Sequence, residues 1–178
     1  IGRANKLWVL GRIMVNLEKD DQVIIFSNTK RMVDLLVQRL DRHKFSATGL
    51  HGDMAQNKRE RIINDFRDGK TKIVIATDVA ARGLDVDGVT MVINYDIPDD
   101  SESYVHRIGR TGRMGRKGTA WSFVSGEDAP NMTKIISTWN MVIEEVEAPE
   151  LPDGVSRDPV RKQMDWGESA DVFGMVPI

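Results

Sequence analysis

The 178-residue chain has no cysteine, which excludes disulfides and thiolate metal sites. Its three histidines, His43, His51 and His106, are too scattered to form a zinc cluster. A charge excess of either sign is also missing: 25 lysines and arginines stand against 27 aspartates and glutamates, for a formal net charge of −2. A globally basic nucleic-acid coat is thereby excluded, and any polyanion site must be a local patch. No apolar run is long enough to span a bilayer, and the N-terminus has no signal-peptide pattern. The expectation is a soluble protein of an intracellular, reducing compartment. The chain opens on Ile1 and not on methionine, which reads as an excised piece of something longer.

What is present is a real core, since 40% of the residues are hydrophobic, arranged in alternating periods. Leu7, Leu10, Ile13, Met14 and Leu17 recur at helical spacing, and an apolar run at 23–26 suits a buried strand. Helical spacing returns at Met32, Val33, Leu35, Leu36 and Leu40, and again at Ile62, Ile63 and Phe66. Further strands are predicted at 45–50, 72–76, 91–95 and 119–124, a helix over 129–141 and an edge strand at 142–146. Strands alternating with helices predict an α/β fold, a mostly parallel central sheet with helices on both faces. Trp121 and Trp139 fall in such elements and are expected in the core. Residues 1–148 are expected to form the domain. The stretch 149–178, with Pro152, Gly154, Pro159, Gly167, Gly174 and Pro177 and no periodicity, reads as an extension or linker. Its Trp166 and Phe173 are either docking or incidental aromatics.

The unusual residues fall where strands end. Ser27, Asn28 and Thr29 follow the first strand, His51, Gly52 and Asp53 the second, and Thr77 and Asp78 the third; the arginine-rich run 106–113 comes after the fourth. Ligands of open α/β sheets bind along the carboxyl edge, so these segments are expected to converge on one surface. Thr29 is placed to cap a helix, either as a plain cap or at a helix start suited to a phosphate. Asp53, with Gln56 three residues on, fits a capping box. Arg59, one turn beyond Gln56, is either a phosphate-neutralising group or a solvated arginine. A hydroxyl such as that of Thr77 can donate to phosphate, and a carboxylate such as Asp85 can accept from a ribose hydroxyl; Asp78 also fits a structural cap.

The most informative run is His106, Arg107, Ile108, Gly109, Arg110, Thr111, Gly112, Arg113, followed by Arg116 and Lys117. Guanidinium forks match phosphate oxygens, and interleaved glycines allow close approach, so the run reads as a loop that handles anions; alone, it is equally a solvated basic patch.

Residues 76–85 read ATDVAARGLD and 106–113 read HRIGRTGR, which resemble motifs V and VI of DEAD-box RNA helicases. Residues 24–29, IIFSNT, are similar to motif IV, and residues 52–59, GDMAQNKR, to the GxxxQxxR element of that family. The motifs occur in the family's order over roughly residues 20–125. The resemblance implies a RecA-like domain, the second of the helicase core. It implies that Arg110 and Arg113 are arginine fingers for ATP, with Asp85 at the nucleotide ribose and the backbone of Gly83 beside it. Thr29, Gly52, Asp53, Gln56, Arg59, Thr77 and Asp78 match positions at the RNA sugar-phosphate backbone, which implies sequence-tolerant binding. His106 and Arg107 match positions that couple to the partner domain.

The family pattern is also incomplete. No GxxxxGK[ST] loop and no Asp-Glu-Ala-Asp tetrad occurs, so the groups that hold ATP, Mg²⁺ and the attacking water are expected in an N-terminal RecA-like domain upstream of Ile1. Partners implied are RNA, that domain and protein cofactors, with no membrane and with this chain monomeric by itself. The expected function is the C-terminal half of an ATP-dependent RNA helicase, inactive alone. The alternative is a non-catalytic RNA- or protein-binding module of the same fold.

Overall fold

A computed structural model describes residues 3–82, 86, 89–112 and 117–146. The element order is α1 (Arg3–Val15), β1 (Val23–Phe26), α2 (Lys30–Arg42), β2 (Ala47–Leu50), α3 (Gln56–Arg67), β3 (Ile73–Ala76), α4 (Asp78–Ala81), β4 (Met91–Asn94), α5 (Ser101–Ile108), β5 (Thr119–Ser122) and α6 (Ala129–Trp139). The five strands form one sheet in the order β2-β3-β1-β4-β5, with every pairing parallel. The three inner strands, VIIF, IVIA and MVIN, are buried at every position, as strands covered on both faces must be.

Alternate residues of these strands feed two cores. Val23, Ile25, Ile73, Ile75, Met91 and Ile93 pack with Leu7, Leu10 and Met14 of α1 and with Val33, Leu36 and Leu40 of α2. Ile24, Phe26, Val74, Ala76 and Val92 face the other way, onto Ile62 and Phe66 of α3 and Ala80 and Ala81 of α4. This is the period-2 rule of a strand meeting the 3.6-residue period of helices on each side. A third, smaller cluster joins Tyr104 of α5 to Met132 and Ile135 of α6.

Several expectations need correction. The stretch 142–146 is not an edge strand: it carries no strand pairing, and Val142, Ile143 and Val146 are exposed. Its pattern, two apolar residues, two glutamates and one valine, lacks the alternation that half-buries a strand. α6 stops at Trp139 because Asn140 turns into the left-handed region, φ 47°. Trp139 is therefore at a helix end and 47% exposed, not in the core, whereas Trp121 packs against the first core cluster. The arginine-rich run is not simply a loop. Its first three residues form the end of α5, with Gly109 as the C-cap. The extension 149–178, with Trp166 and Phe173, lies outside the described residues.

Candidate functional site

Because the sheet is all parallel, its strands end on one edge. β1 runs on toward β2 on one side and β4 toward β5 on the other, so the chain diverges between the carboxyl ends of β1 and β4. That divergence is where open α/β sheets make their crevice. Arg107 fills it.

Arg107 lies in the last turn of α5, and its side chain is only 1% exposed. Nε donates to Asp78 Oδ1 at 2.6 Å and Nη2 to Asp78 Oδ2 at 2.5 Å, a bidentate pair. Nη1 donates to Asn94 Oδ1 at 3.3 Å and to the Asp96 carbonyl at 2.7 Å; Nη2 also donates to Asn28 Oδ1 at 2.9 Å. The guanidinium plane lies over the Phe26 ring, 5.1 Å from its centroid. A guanidinium has five N–H donors, and all five are used within this domain. Arg107 thus has no donor left for a phosphate. Any coupling it carries to a second domain passes through the loops it binds, those after β1, β3 and β4.

The loop after β1 is held by further bonds as well. Ser27 Oγ donates to Asp96 Oδ2 at 2.5 Å, the Asn28 amide donates to the same oxygen at 3.1 Å, and Asn28 Nδ2 donates to the Ile97 carbonyl at 2.8 Å. Thr29 then caps α2, its hydroxyl accepting from the Met32 amide at 3.2 Å. That is the expected cap, and it leaves the α2 N-terminus facing the carboxyl edge.

Asp53 does not close a capping box. Ala55 is the N-cap of α3, without a side-chain cap bond, and Gln56 is already the first helical residue, donating to Glu60 at 3.0 Å. The Asp53 carboxylate instead pairs with Lys30 of α2. That hydrogen bond, and then the lysine's charge, hold the Asp53 carboxyl below its ordinary value and the Lys30 ammonium above its own. A box needs the acid at the N-cap, three residues before N3, and Asp53 lies two residues ahead of that cap; the lysine 23 residues upstream offers a stronger partner. Gly52 beside it is exposed and open, with no atom within 4 Å of where a Cβ would sit. Arg59 is not a solvated helix arginine: Nη2 donates to the Ala80 carbonyl at 3.2 Å, tying α3 to α4.

Thr77 is the N-cap residue of α4, without a side-chain cap bond. Asp78 opens that helix, but its carboxylate serves Arg107. His106 is on the exposed side of α5, 3.8 Å from Glu102 one turn earlier. A shallow depression on the same edge is lined by Phe26, Asp78, Ala81, Arg82, Ser103, His106, Arg107 and Arg110. Gly83, Asp85 and Arg113 lie outside the described residues.

After Arg110 the chain is anchored again. Thr111 Oγ1 donates to the Val89 carbonyl at 2.6 Å, and Gly112 takes φ 68°, a conformation that favours glycine. Gly118 packs so closely that a Cβ there would lie 2.0 Å from Thr111 Oγ1 and 2.4 Å from the Gly112 amide nitrogen.

Sequence reasoning did not single out Asn94, Asp96 or Lys6 as parts of this edge. A faint signal existed for Asn94, a polar residue ending an otherwise apolar strand and fully buried. Among the described residues no group of three His, Asp or Glu side chains could hold a metal ion. No phosphate loop occurs in the chain. Arg82, His106 and Arg110 around one depression are donors of a kind that suits phosphate oxygens, and among the described residues no acidic cluster fits a metal ion.

The helicase conserved C-terminal domain model matches residues 5–115. The chain belongs to the C-terminal helicase domains of DEAD-box RNA helicases. It is 49% identical over 122 residues to the ATP-dependent RNA helicase FAL1 of Kluyveromyces lactis, covering 68% of this chain and 31% of that protein. Against the DEAD-box ATP-dependent RNA helicase CshA of Bacillus cereus it is 43% identical over 155 residues, 87% of this chain and 29% of that one. The DEAD-box chain thus spans about a third of the length of these relatives.

Among solved structures, the C-terminal domain of the DEAD-box protein Dbp5 aligns with a TM-score of 0.69 at 40% identity, over 76% of this chain and 79% of that one. A DEAD-box protein of Methanococcus jannaschii gives 0.76 at 36% identity, over 83% of this chain and 40% of its own. Dbp5 of S. cerevisiae bound to RNA and ADP BeF3 gives 0.73 at 39% identity, over 80% and 38% of the two chains. The fold is the RecA-like one of DEAD-box C-terminal domains. Among the described residues no helix is long and apolar enough to cross a membrane.

Proposed function

We propose that this chain is the second half of an ATP-dependent RNA helicase core, completed by an N-terminal RecA-like domain that precedes it. The observation that carries the reading is the convergence at the β1–β4 divergence: Arg107 uses all five donors to lock three loops, and Arg110, one turn on, lines the adjoining depression. In that reading Arg110 and Arg113 reach the terminal phosphate of ATP held mainly by the other domain. In the same reading Asp85 serves the nucleotide ribose, with the Gly83 backbone beside it. ATP supplies the free energy, and Mg²⁺ is held by the other domain.

The division of labour follows from the contacts. Arg107 is a positioning residue, which fixes the end of α5 and so the point from which Arg110 follows. A preorganised cation aimed at developing charge needs no reorganisation when the transition state forms. Thr29 at the α2 start, Gly52 with its open face, Asp53, Gln56, Arg59, Thr77 and Asp78 form the RNA-facing part of the edge. Backbone amides at a helix start suit a phosphate, and the absence of a base-reading element in this set favours sequence-tolerant binding. Closure of the two domains over ATP and RNA would complete catalysis and bend the bound strand, driving duplex unwinding or ribonucleoprotein remodelling.

The test is RNA-stimulated ATP hydrolysis by the protein with its preceding domain, beside this chain alone. Arg110→Ala in the two-domain protein is expected to lower kcat by about 10³-fold or more, the range of arginine fingers, with little change in RNA affinity. This chain alone is expected to give no RNA-stimulated turnover. Full turnover by Arg110→Ala, or hydrolysis by the chain alone, would sink the reading.

A further inference from the structure

Lys6 is a buried cation that does not line the depression. It sits on α1, with its side chain 7% exposed. Its ammonium donates to the Tyr95 carbonyl at 3.0 Å and to Asp128 Oδ2 at 3.3 Å, and lies 4.0 Å from Asp96 Oδ1. It also approaches the Tyr95 ring, 5.8 Å from the centroid. Burying an ammonium is costly unless partners replace its water, and an apolar residue would pack α1 against the sheet as well. The partners chosen are the informative part.

Two of them, Tyr95 and Asp96, belong to the short segment that also serves the arginine site. Each oxygen of Asp96 meets a different element. Oδ1 faces Lys6 on α1; Oδ2 accepts from Ser27 and from the Asn28 amide after β1; the backbone carbonyl accepts from Arg107 on α5. The Asn28 side-chain oxygen in turn accepts from Arg107. From Lys6 to Arg107 the contacts are therefore continuous through one residue, by two routes that rejoin at the guanidinium.

We propose that Lys6 is a positioning residue that couples helix α1 to the arginine cluster through Asp96, so that the seating of α1 sets the geometry of Asn28 and Arg107. α1 is the element by which an upstream segment would enter the domain, which makes it a lever on the site. The consequence for ATP turnover rests on the function proposed above, but the coupling itself does not, and it is read without ATP.

The measurement is NMR of this chain, following the Arg107 Nε–H and the Asn28 side-chain amide. Lys6→Met keeps length and apolar packing and removes the charge; it is expected to shift both signals and to speed solvent exchange at Arg107 Nε–H several-fold. Leu10→Ala, a fully buried α1 substitution, loosens the same helix without touching the network and is expected to leave both signals of the folded population in place. Equal effects of the two variants would mean that Lys6 merely anchors α1, and unmoved signals in Lys6→Met would likewise overturn the proposal. Should Lys6→Met fail to fold, the coupling is read from the other end, because coupling between two sites is reciprocal. Asp96→Asn then has to shift the Lys6 ammonium and the α1 amides around it, and silence there refutes the coupling. A moved Arg107 signal alongside full activity of Arg110→Ala would support this inference while removing the catalytic reading.

Discussion

Arg107 illustrates how far a side chain's surroundings can redefine it. In sequence it is one of several arginines in a glycine-rich run, all equally suited to phosphate. In the fold its five donors are spent within the domain, while Arg110 lines the adjoining depression. Lysine cannot replace it, having three donors on a point charge where a planar fork spans Asp78 and two amide oxygens. Arg107→Lys is expected to destabilise the fold by about 2 kcal/mol or more in urea denaturation, because buried acceptors lose partners and the Asp78 pair loses its bidentate geometry. A change within about 0.5 kcal/mol, the range of ordinary surface substitutions, would contradict the hub role. That Arg107 mattered was legible from the motif. That it points inward was not, since Asp78, Asn94, Asp96 and Asn28 come from segments up to 79 residues away.

At the scale of elements, boundaries were legible where the apolar period is clean. β1 was expected at 23–26 and occupies Val23–Phe26; β3 and β4 differ from expectation by one terminal residue each. α4 and α5 were not anticipated as helices, because one is four residues long and the other carries mostly polar groups. Their starts are fixed by tertiary partners and by the Asp100 cap, whose carboxylate accepts from Ser103 at 2.7 Å. Among the described residues, Gly118 just before β5 packs closely against Thr111 and Gly112 of the arginine-rich run. Gly118→Ala would force Thr111 off the Val89 carbonyl or push β5 outward, and overpacking of this kind costs about 1–3 kcal/mol. The expected result is a lower unfolding midpoint together with a displaced Gly112 amide resonance. An alanine variant with wild-type stability and an unmoved Gly112 signal would show that the contact has slack.

For the molecule as a whole, acid should loosen the fold from a definable point. Burial alone would raise the Asp128 carboxyl, but the Ser125 hydroxyl and amide, followed by the charge of Lys6, outweigh it and hold the group below the ordinary 3.8. The unfolded chain therefore binds the proton more readily than the folded one. The stability contributed by Asp128 is complete above about pH 4, where both states are ionised, and is lost as pH falls through the lower folded value. Asp128→Asn is expected to be less stable than wild type at pH 6, with the gap narrowing toward pH 3 in urea unfolding. A constant gap would mean that the carboxylate's charge contributes nothing to seating α1 against α6. Asp53 and Asp100 shift in the same direction, but they are solvent-exposed and add little.

By itself the sequence determined the five strands of the sheet, though it also suggested a sixth at 142–146, the α/β arrangement, the edge on which the polar segments gather and the family to which the motifs belong. These follow from short-range regularities, the period of apolar residues and the residue types that end strands and begin helices. Only the tertiary structure decided which polar group answers which: Asp53 to Lys30 and not to its own helix, Asp78 to Arg107, Arg59 to the Ala80 carbonyl, Lys6 to Tyr95, Asp96 and Asp128. The reason is physical. Hydrophobic burial is non-directional and leaves a periodic trace along the chain, whereas a buried charge or hydrogen-bonding group must find a partner at one distance and angle, and the chain supplies that partner only once it has folded.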